Sequence, residues 1–313
     1  MPPQFISLMY HNVIRDDAAG ARDDTDGLGP SITAYFVGEA QFSEHLDAIA
    51  GTADVLTYAD VQRFYFGVQV VTPDSPRPLV QLTFDDGWRG TLDVAGPMLA
   101  DRGVQALVFV TTGLIGAKHF LSRGALARLP AANFHVGSHS VSHGFLNEMP
   151  DHDIRRELLE SRQVLEDIVG YGVDAVSIPN GAADARVVRI AEECGYRCVF
   201  VSNVHANTRR RGPQRIGRVA IRNTTAIESI ERYARGDLGR EGLRSGLLRW
   251  PKRLLGAQRY RRVRSSLLGQ SADDRDMCDL VQENVHRRSA VIGAPPTDRP
   301  VSPSSGSVVG ASR

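Results

Sequence analysis

Short apolar runs, several of them rich in β-branched residues, recur along the first two thirds of the chain, separated by longer stretches whose apolar positions fall three and four apart. A run of four to eight apolar residues suits a strand buried on both faces, and three-and-four spacing suits a helix that buries one stripe. The runs predict strands at Phe5 to Met9, Leu79 to Thr83, Ala106 to Val110, Val136 to Ser138, Ala175 to Ile178 and Cys198 to Val201. The stretches between them predict helices at Glu39 to Gly51, Thr91 to Arg102, Asp151 to Val169 and Ala183 to Cys194. The third helix is the clearest, with Ile154, Leu158, Leu159, Leu165 and Ile168 on one stripe and Asp151, after Pro150, as its expected N-cap. Strands and helices in alternation predict an α/β fold around a mostly parallel sheet. The segment from Asp16 to Ser31, dense in Asp and Gly, reads as a flexible loop beside the first strand.

Near residue 236 the alternation stops. Leu243, Leu247, Leu248, Leu254, Leu255, Leu267 and Leu268 sit among arginines on either side of Pro251, the pattern of basic amphipathic helices. Residues 240 to 264 hold nine Lys or Arg against a single acid, Glu241. Such a segment suits a pair of helices packed on the domain surface, and equally a peripheral membrane surface or a contact with a glycan-synthesis partner. No aromatic or glycine motif of a nucleic-acid module accompanies the arginines, so a nucleic-acid partner is not expected. From about Ser289 the chain is rich in Pro, Ser and Gly and is expected to be disordered. The reading is a main domain over 1–235, a basic helical extension over 236–288 and a tail over 289–313.

Composition adds bounds. A chain of 313 residues that is 42% apolar and 23% charged is an ordinary folded protein with a sizeable core. Its start, Met-Pro-Pro-Gln-Phe-Ile-Ser, shows no basic region leading into an apolar run, and no stretch of roughly 18 apolar residues occurs, so a cytoplasmic location is expected, with membrane association through the basic segment as its variant. Cys194, Cys198 and Cys278 are too few for a disulfide framework and read as buried small residues, with Gly195 ending the helix between the first two.

Two constellations carry chemistry. The strand Leu79 to Thr83 runs through Phe84 into Asp85, Asp86 and Gly87, placing adjacent carboxylates at the end of a strand where β/α folds build their sites. Adjacent ionised acids repel, and a divalent cation relieves that; an Asp-Asp-Gly turn is also an ordinary way to end a strand. The second constellation, Ser138 to His143, follows another strand. His139 and His143 are four apart, which on a helical turn would put both imidazoles on one face about 6 Å apart along the axis. Two histidines and one carboxylate hold a catalytic metal while leaving positions open.

Together these motifs resemble the first two of the polysaccharide deacetylase family (carbohydrate esterase family 4, the NodB homology domain). The resemblance continues through Leu146, Arg155, Glu157, Leu158, Leu165 and Gly170, then Ser177, Ile178, Pro179 and Gly181, and finally Gly195 and Tyr196. At the N-terminus, Leu8 to His11 with Phe42, His45, Leu46 and Ile49 are similar to the branch of poly-N-acetylglucosamine deacetylases, so the resemblance covers roughly residues 5 to 235. It implies a distorted (β/α)7 barrel of the glycoside hydrolase/deacetylase type. It also implies a divalent metal, zinc first and nickel, cobalt or manganese as alternatives, on Asp86, His139 and His143. Asp85 is implied as general base, His11 as general acid, and the Asn180 N–H as an oxyanion donor. The implied substrate is an N-acetylated oligo- or polysaccharide, free or lipid-linked, in glycan or exopolysaccharide biosynthesis. His11 can equally be a buried histidine satisfied by a carbonyl, and Trp88 either lines a sugar subsite or packs in the core. The chain departs from the family at its third motif, where Ser177 and Asn180 stand in place of the usual arginine and tyrosine. A leucine-x-histidine motif is absent, and the nearest histidine, His205, reads as exposed. Two other functions stay open: a deacylase of the same fold acting on an ester, peptide or imide, and a non-catalytic carbohydrate-binding scaffold.

Overall fold

The computed structural model describes residues 3–67, 76–181, 183–239, 241 and 277–292. Its strands are β1 (Gln4–Tyr10), β2 (Asn12–Ile14), β3 (Phe36–Gly38), β4 (Asp54–Leu56), β5 (Leu79–Phe84), β6 (Ala106–Val110), β7 (Phe134–Ser138), β8 (Ala175–Ser177), β9 (Cys198–Val201), β10 (Asn207–Thr208) and β11 (Ile216–Ala220). Seven of them, β1, β11, β9, β8, β7, β6 and β5, pair in parallel in that order, and β1–β5 pairing closes the ring into the expected (β/α)7 barrel. The six strands expected from apolar runs all lie in this ring. The seventh, β11, escaped because Gly217 and Arg218 interrupt its apolar run.

The distortion has a place. Leu79–Gln81 of β5 pair with β4, whereas Thr83 and Phe84 pair with β6, so β4 is wedged into the wall where β5 and β6 part at their lower ends. Strand alternation then sorts the core in two. Ile6, Leu8, Val80, Leu82, Val108, Val136 and Val199 face the surrounding helices, and Phe5, Leu107, Phe109, Phe200 and Ile216 face the lumen. A helix that was not expected plugs the lower mouth of the lumen through Tyr58, Val61 and Phe64.

The helices are α1 (Ala18–Thr25), α2 (Pro30–Thr33), α3 (Glu39–Thr52), α4 (Tyr58–Phe66, the plug), α5 (Gly96–Asp101), α6 (Arg123–Arg128), α7 (Asp151–Val169), α8 (Ala185–Glu193), α9 (Ile227–Ala234) and α10 (Met277–Ile292). Three expectations are corrected. The segment from Asp16 to Ser31 is not a flexible loop but carries α1 and α2, because its acids cap and pair: Asp17 accepts from the Gly20 N–H, and buried Asp24 meets Arg15 and Arg89. Thr91 to Arg102 is a π-helical turn at Thr91–Ala95 followed by α5. Asp151 is not the N-cap of α7; Pro150 holds that place, and Asp151 and Asp153 sit in the first turn, where the helix dipole favours acids. Gly195, at φ +88°, ends α8 as expected, and Cys194 and Cys198 are buried.

The basic helices expected around Pro251 and the tail beyond residue 292 lie outside the described residues. The helix α10 crosses the expected boundary at 288 and packs back on the barrel: Val281 joins Ile32, Phe36, Trp88, Leu114 and Phe120 in one apolar cluster. Among the described residues no helix is long and apolar enough to cross a membrane.

Candidate active site

All the strands of the ring point their C-terminal ends to one mouth, and the sequence-expected residues meet there. The β1–β5 register sets Tyr10 beside Phe84, so His11 leaves β1 next to Asp85, whose N–H donates to the Tyr10 carbonyl at 3.0 Å. Asp86 follows in a left-handed conformation at φ +76°. Six non-glycine residues have positive φ among the described residues, and four of them, Asp86, Ser140, His143 and Asn180, belong to this mouth. Strain of that kind persists where surrounding contacts over-determine it, and here it aims the ligating side chains.

His139 and His143 do converge, with ring centroids 5.0 Å apart, but not from one face of a helix. The chain between them is an irregular turn with Ser140 at φ +63° and His143 at φ +57°. Its amides are spoken for from below: Glu157 on α7 accepts the Val141 and Ser142 N–H groups at 2.9 and 2.8 Å, and Ser140 Oγ accepts the His143 N–H.

One oxygen is left over. Asp86 Oδ1 is buried without a hydrogen bond, 3.4 Å from His139 Nε2 and 3.3 Å from His143 Nε2. One ligand atom from each of the three residues lies within 4.8 Å of the others. The outward-facing atoms are already engaged: Trp88 Nε1 donates to Asp86 Oδ2 at 3.0 Å, and His139 Nδ1 donates to the Ser177 carbonyl at 2.7 Å, leaving Nε2 its lone pair. An orphaned carboxylate oxygen facing two imidazole nitrogens fits a small divalent cation. Burial pushes the His139 pKa down to about 4, so its ring is neutral, as a ligand must be. For His143 burial acts downward too, but the Asp86 carboxylate and the Cys278 thiol outweigh it and the pKa is raised.

Asp85 has a different environment. The guanidinium of Arg218, on β11, reaches it with Nη1 2.6 Å from Oδ1 and Nη2 2.8 Å from Oδ2. Ser177 Oγ accepts from Arg218 Nη2 at 2.7 Å and donates to Asp85 Oδ2 at 3.3 Å. Burial alone would raise the Asp85 pKa; the facing guanidinium lowers it and keeps the carboxylate ionised. At position 177, where the resemblance led to an arginine being expected, Ser177 instead holds a guanidinium that comes from another strand. The signal in the sequence was a lone arginine inside Ile216–Ala220, a segment that is otherwise apolar or small.

His11 is half-buried and lies tilted against Tyr35 with centroids 4.7 Å apart; its pKa is lowered by burial against the pull of Asp86 and Asp85. Its Nδ1 is buried without a hydrogen bond, so no carbonyl satisfies that nitrogen. Asn180 is exposed at the rim in a left-handed turn, and its amide donates to the His143 carbonyl at 3.4 Å. Trp88 is no sugar platform: it is fully buried and stacked on Phe120 at 4.1 Å. His205 is half-buried and bonds the Arg215 carbonyl, away from these groups.

Residues 72–199 match the family model described as polysaccharide deacetylase. YxkH of Bacillus subtilis strain 168, named as a polysaccharide deacetylase, is 25% identical over 142 residues, 45% of this chain and 51% of its own length, so the match spans about half of that curated relative. Among solved structures, the fold is similar to the Streptococcus pyogenes deacetylase PplD in complex with acetate, with a TM-score of 0.62 and 21% identity over 74% of this chain and 97% of that one. It is also similar to IcaB from Ammonifex degensii, with a TM-score of 0.62 and 19% identity over 75% of this chain and 98% of that one. At those identities the likeness shows the fold.

Proposed function

We propose that the chain, whose residues 72–199 match the polysaccharide deacetylase family model, belongs to that family and is a metal-dependent hydrolase removing N-acetyl groups from an N-acetylated sugar or polysaccharide. The observation that carries this reading is the buried Asp86 Oδ1, left without a hydrogen bond between two imidazole nitrogens.

Asp86, His139 and His143 would hold the cation, zinc first, with nickel, cobalt or manganese compatible with the same donors. Bound there, it supplies Lewis acidity toward water and the acetamide carbonyl. Asp85, ionised and fixed by Arg218, takes the proton of the attacking water. The Asn180 N–H at the rim is the donor for the oxyanion that forms on the carbonyl. The departing amine needs one proton, the one Asp85 removed from water, and His11 is the residue assigned to deliver it as the C–N bond breaks. Burial holds the resting His11 ring neutral, so it acts as a relay rather than as a standing acid.

The similarity of Leu8 to His11, with Phe42, His45, Leu46 and Ile49, to the poly-N-acetylglucosamine deacetylase branch supports a role in exopolysaccharide synthesis, and the basic segment around Pro251 supports work beside a cytoplasmic membrane face on a lipid-linked or nascent glycan. The direct test is acetate release from chitooligosaccharides set against acetylated xylan, with purified protein before and after chelation. Asp86→Ala and His139→Ala are expected to lose metal and activity together, while Asp85→Asn keeps metal and loses turnover. Full activity in Asp86→Ala would sink the assignment, and release from xylan alone would move it to an esterase.

A further inference from the structure

The ligand turn that carries His143 has a neighbour from far along the chain. Cys278, 135 positions away on α10, donates its Sγ–H to the His143 carbonyl at 3.5 Å. Two further contacts seat the same helix. Asn284 Nδ2 donates to the Gly113 carbonyl at 2.7 Å and is buried with Val281. Gly113 lies between helix and turn: its own N–H donates to the Val141 carbonyl at 3.0 Å, and a Cβ there would stand 2.5 Å from that carbonyl and 2.9 Å from Val281 Cγ1. Only glycine allows the turn and the helix to approach this closely. Val281 also packs in the cluster that holds Trp88, whose indole N–H orients Asp86.

From this stacking we propose that α10 is a brace of the metal site, with Cys278 the positioning residue for His143 and Val281 backing the Trp88–Asp86 contact. The inference rests on the metal reading above. Groups outside the ligand set that hydrogen-bond a ligating residue fix its placement, and their loss costs about 10–100-fold in metal affinity. Here that group arrives from a helix beyond residues 72–199, so the C-terminal part of this chain is part of its catalytic unit.

The test uses the full-length chain and zinc titrated against a chromophoric chelator, with the melting temperature of the metal-free protein measured alongside. Cys278→Val is expected to weaken zinc binding by about tenfold or more with an unchanged metal-free melting temperature, and Cys278→Ser, which keeps a hydrogen-bonding group, to restore most of it. Asn284→Ala, which unpins the helix from Gly113, should weaken zinc in the same direction. Wild-type affinity in Cys278→Val, or equal losses in the Val and Ser variants, overturns the brace while leaving the metal site standing. Absence of zinc binding in the unaltered chain overturns the metal site and the brace with it.

Discussion

Two adjacent carboxylates can share one mouth only if their surroundings give them different work, and Asp85 and Asp86 are separated in this way. Asp86 faces imidazoles, and Asp85 faces a guanidinium with 1% exposure. The sequence showed the carboxylate pair but not what distinguishes its members, because Arg218 is 133 residues from Asp85 and only barrel closure brings β11 across to β5. Removing that arginine leaves Asp85 as an uncompensated buried charge. Arg218→Met is expected to cost about 3–5 kcal/mol of stability, read as a lower midpoint in urea. The pH consequence has a definite sign. In the native protein the depressed Asp85 pKa contributes stability that is present above the unfolded value of about 3.9 and is lost as pH falls through the folded value. Without Arg218, burial is opposed only by His139 and His11 and the pKa rises, so the acid limb of the rate profile moves to higher pH. A variant with the native midpoint and an unmoved acid limb would show that Arg218 does not govern Asp85.

At the scale of elements, the histidine turn shows how a correct pairing can rest on the wrong conformation. Spacing of four suggested a helical turn, yet the backbone reverses through two left-handed residues, which a single sequence does not announce for Ser or His. What holds the reversal is α7, predicted over the same residues that form it, through Glu157. Glu157 is only 8% exposed, and its carboxylate is the acceptor of two turn amides. Glu157→Ala would strand both N–H groups, at a cost of about 1–3 kcal/mol each, and let the turn relax away from Asp86. A fall in stability of a few kcal/mol, by the same denaturation measurement, together with weaker zinc binding is the expected outcome. Glu157→Gln, which keeps an acceptor oxygen, should lose less of both; a Glu157→Ala protein with native zinc affinity would mean that the turn holds itself.

For the whole molecule, the barrel was legible because each of six strands is buried on both faces and therefore reads as an apolar run. The parts that escaped are those whose burial comes from tertiary neighbours: three-residue β4 wedged beside β5, the plug α4, and β11 with its lumenal arginine. The metal reading has a consequence for the stability of the entire fold. Ligands on the segments after β5 and after β7 become linked through one ion, so zinc at a hundred times its dissociation constant should add about 2.7 kcal/mol, moving the melting temperature up by about 5–10 °C for a folded body of this size. That increment has a pH dependence set by His143. In the metal-free protein its raised pKa contributes stability that is fully present below the unfolded value of about 6.5 and is lost as pH rises through the folded value. Zinc must displace the same proton, so acid both stabilises the metal-free state and competes with the ion. The melting-temperature gain from zinc is therefore expected to be larger at pH 8 than at pH 6, by calorimetry at matched ionic strength. A gain that shrinks with rising pH, or no gain at either pH, would mean that His143 does not exchange its proton for a metal.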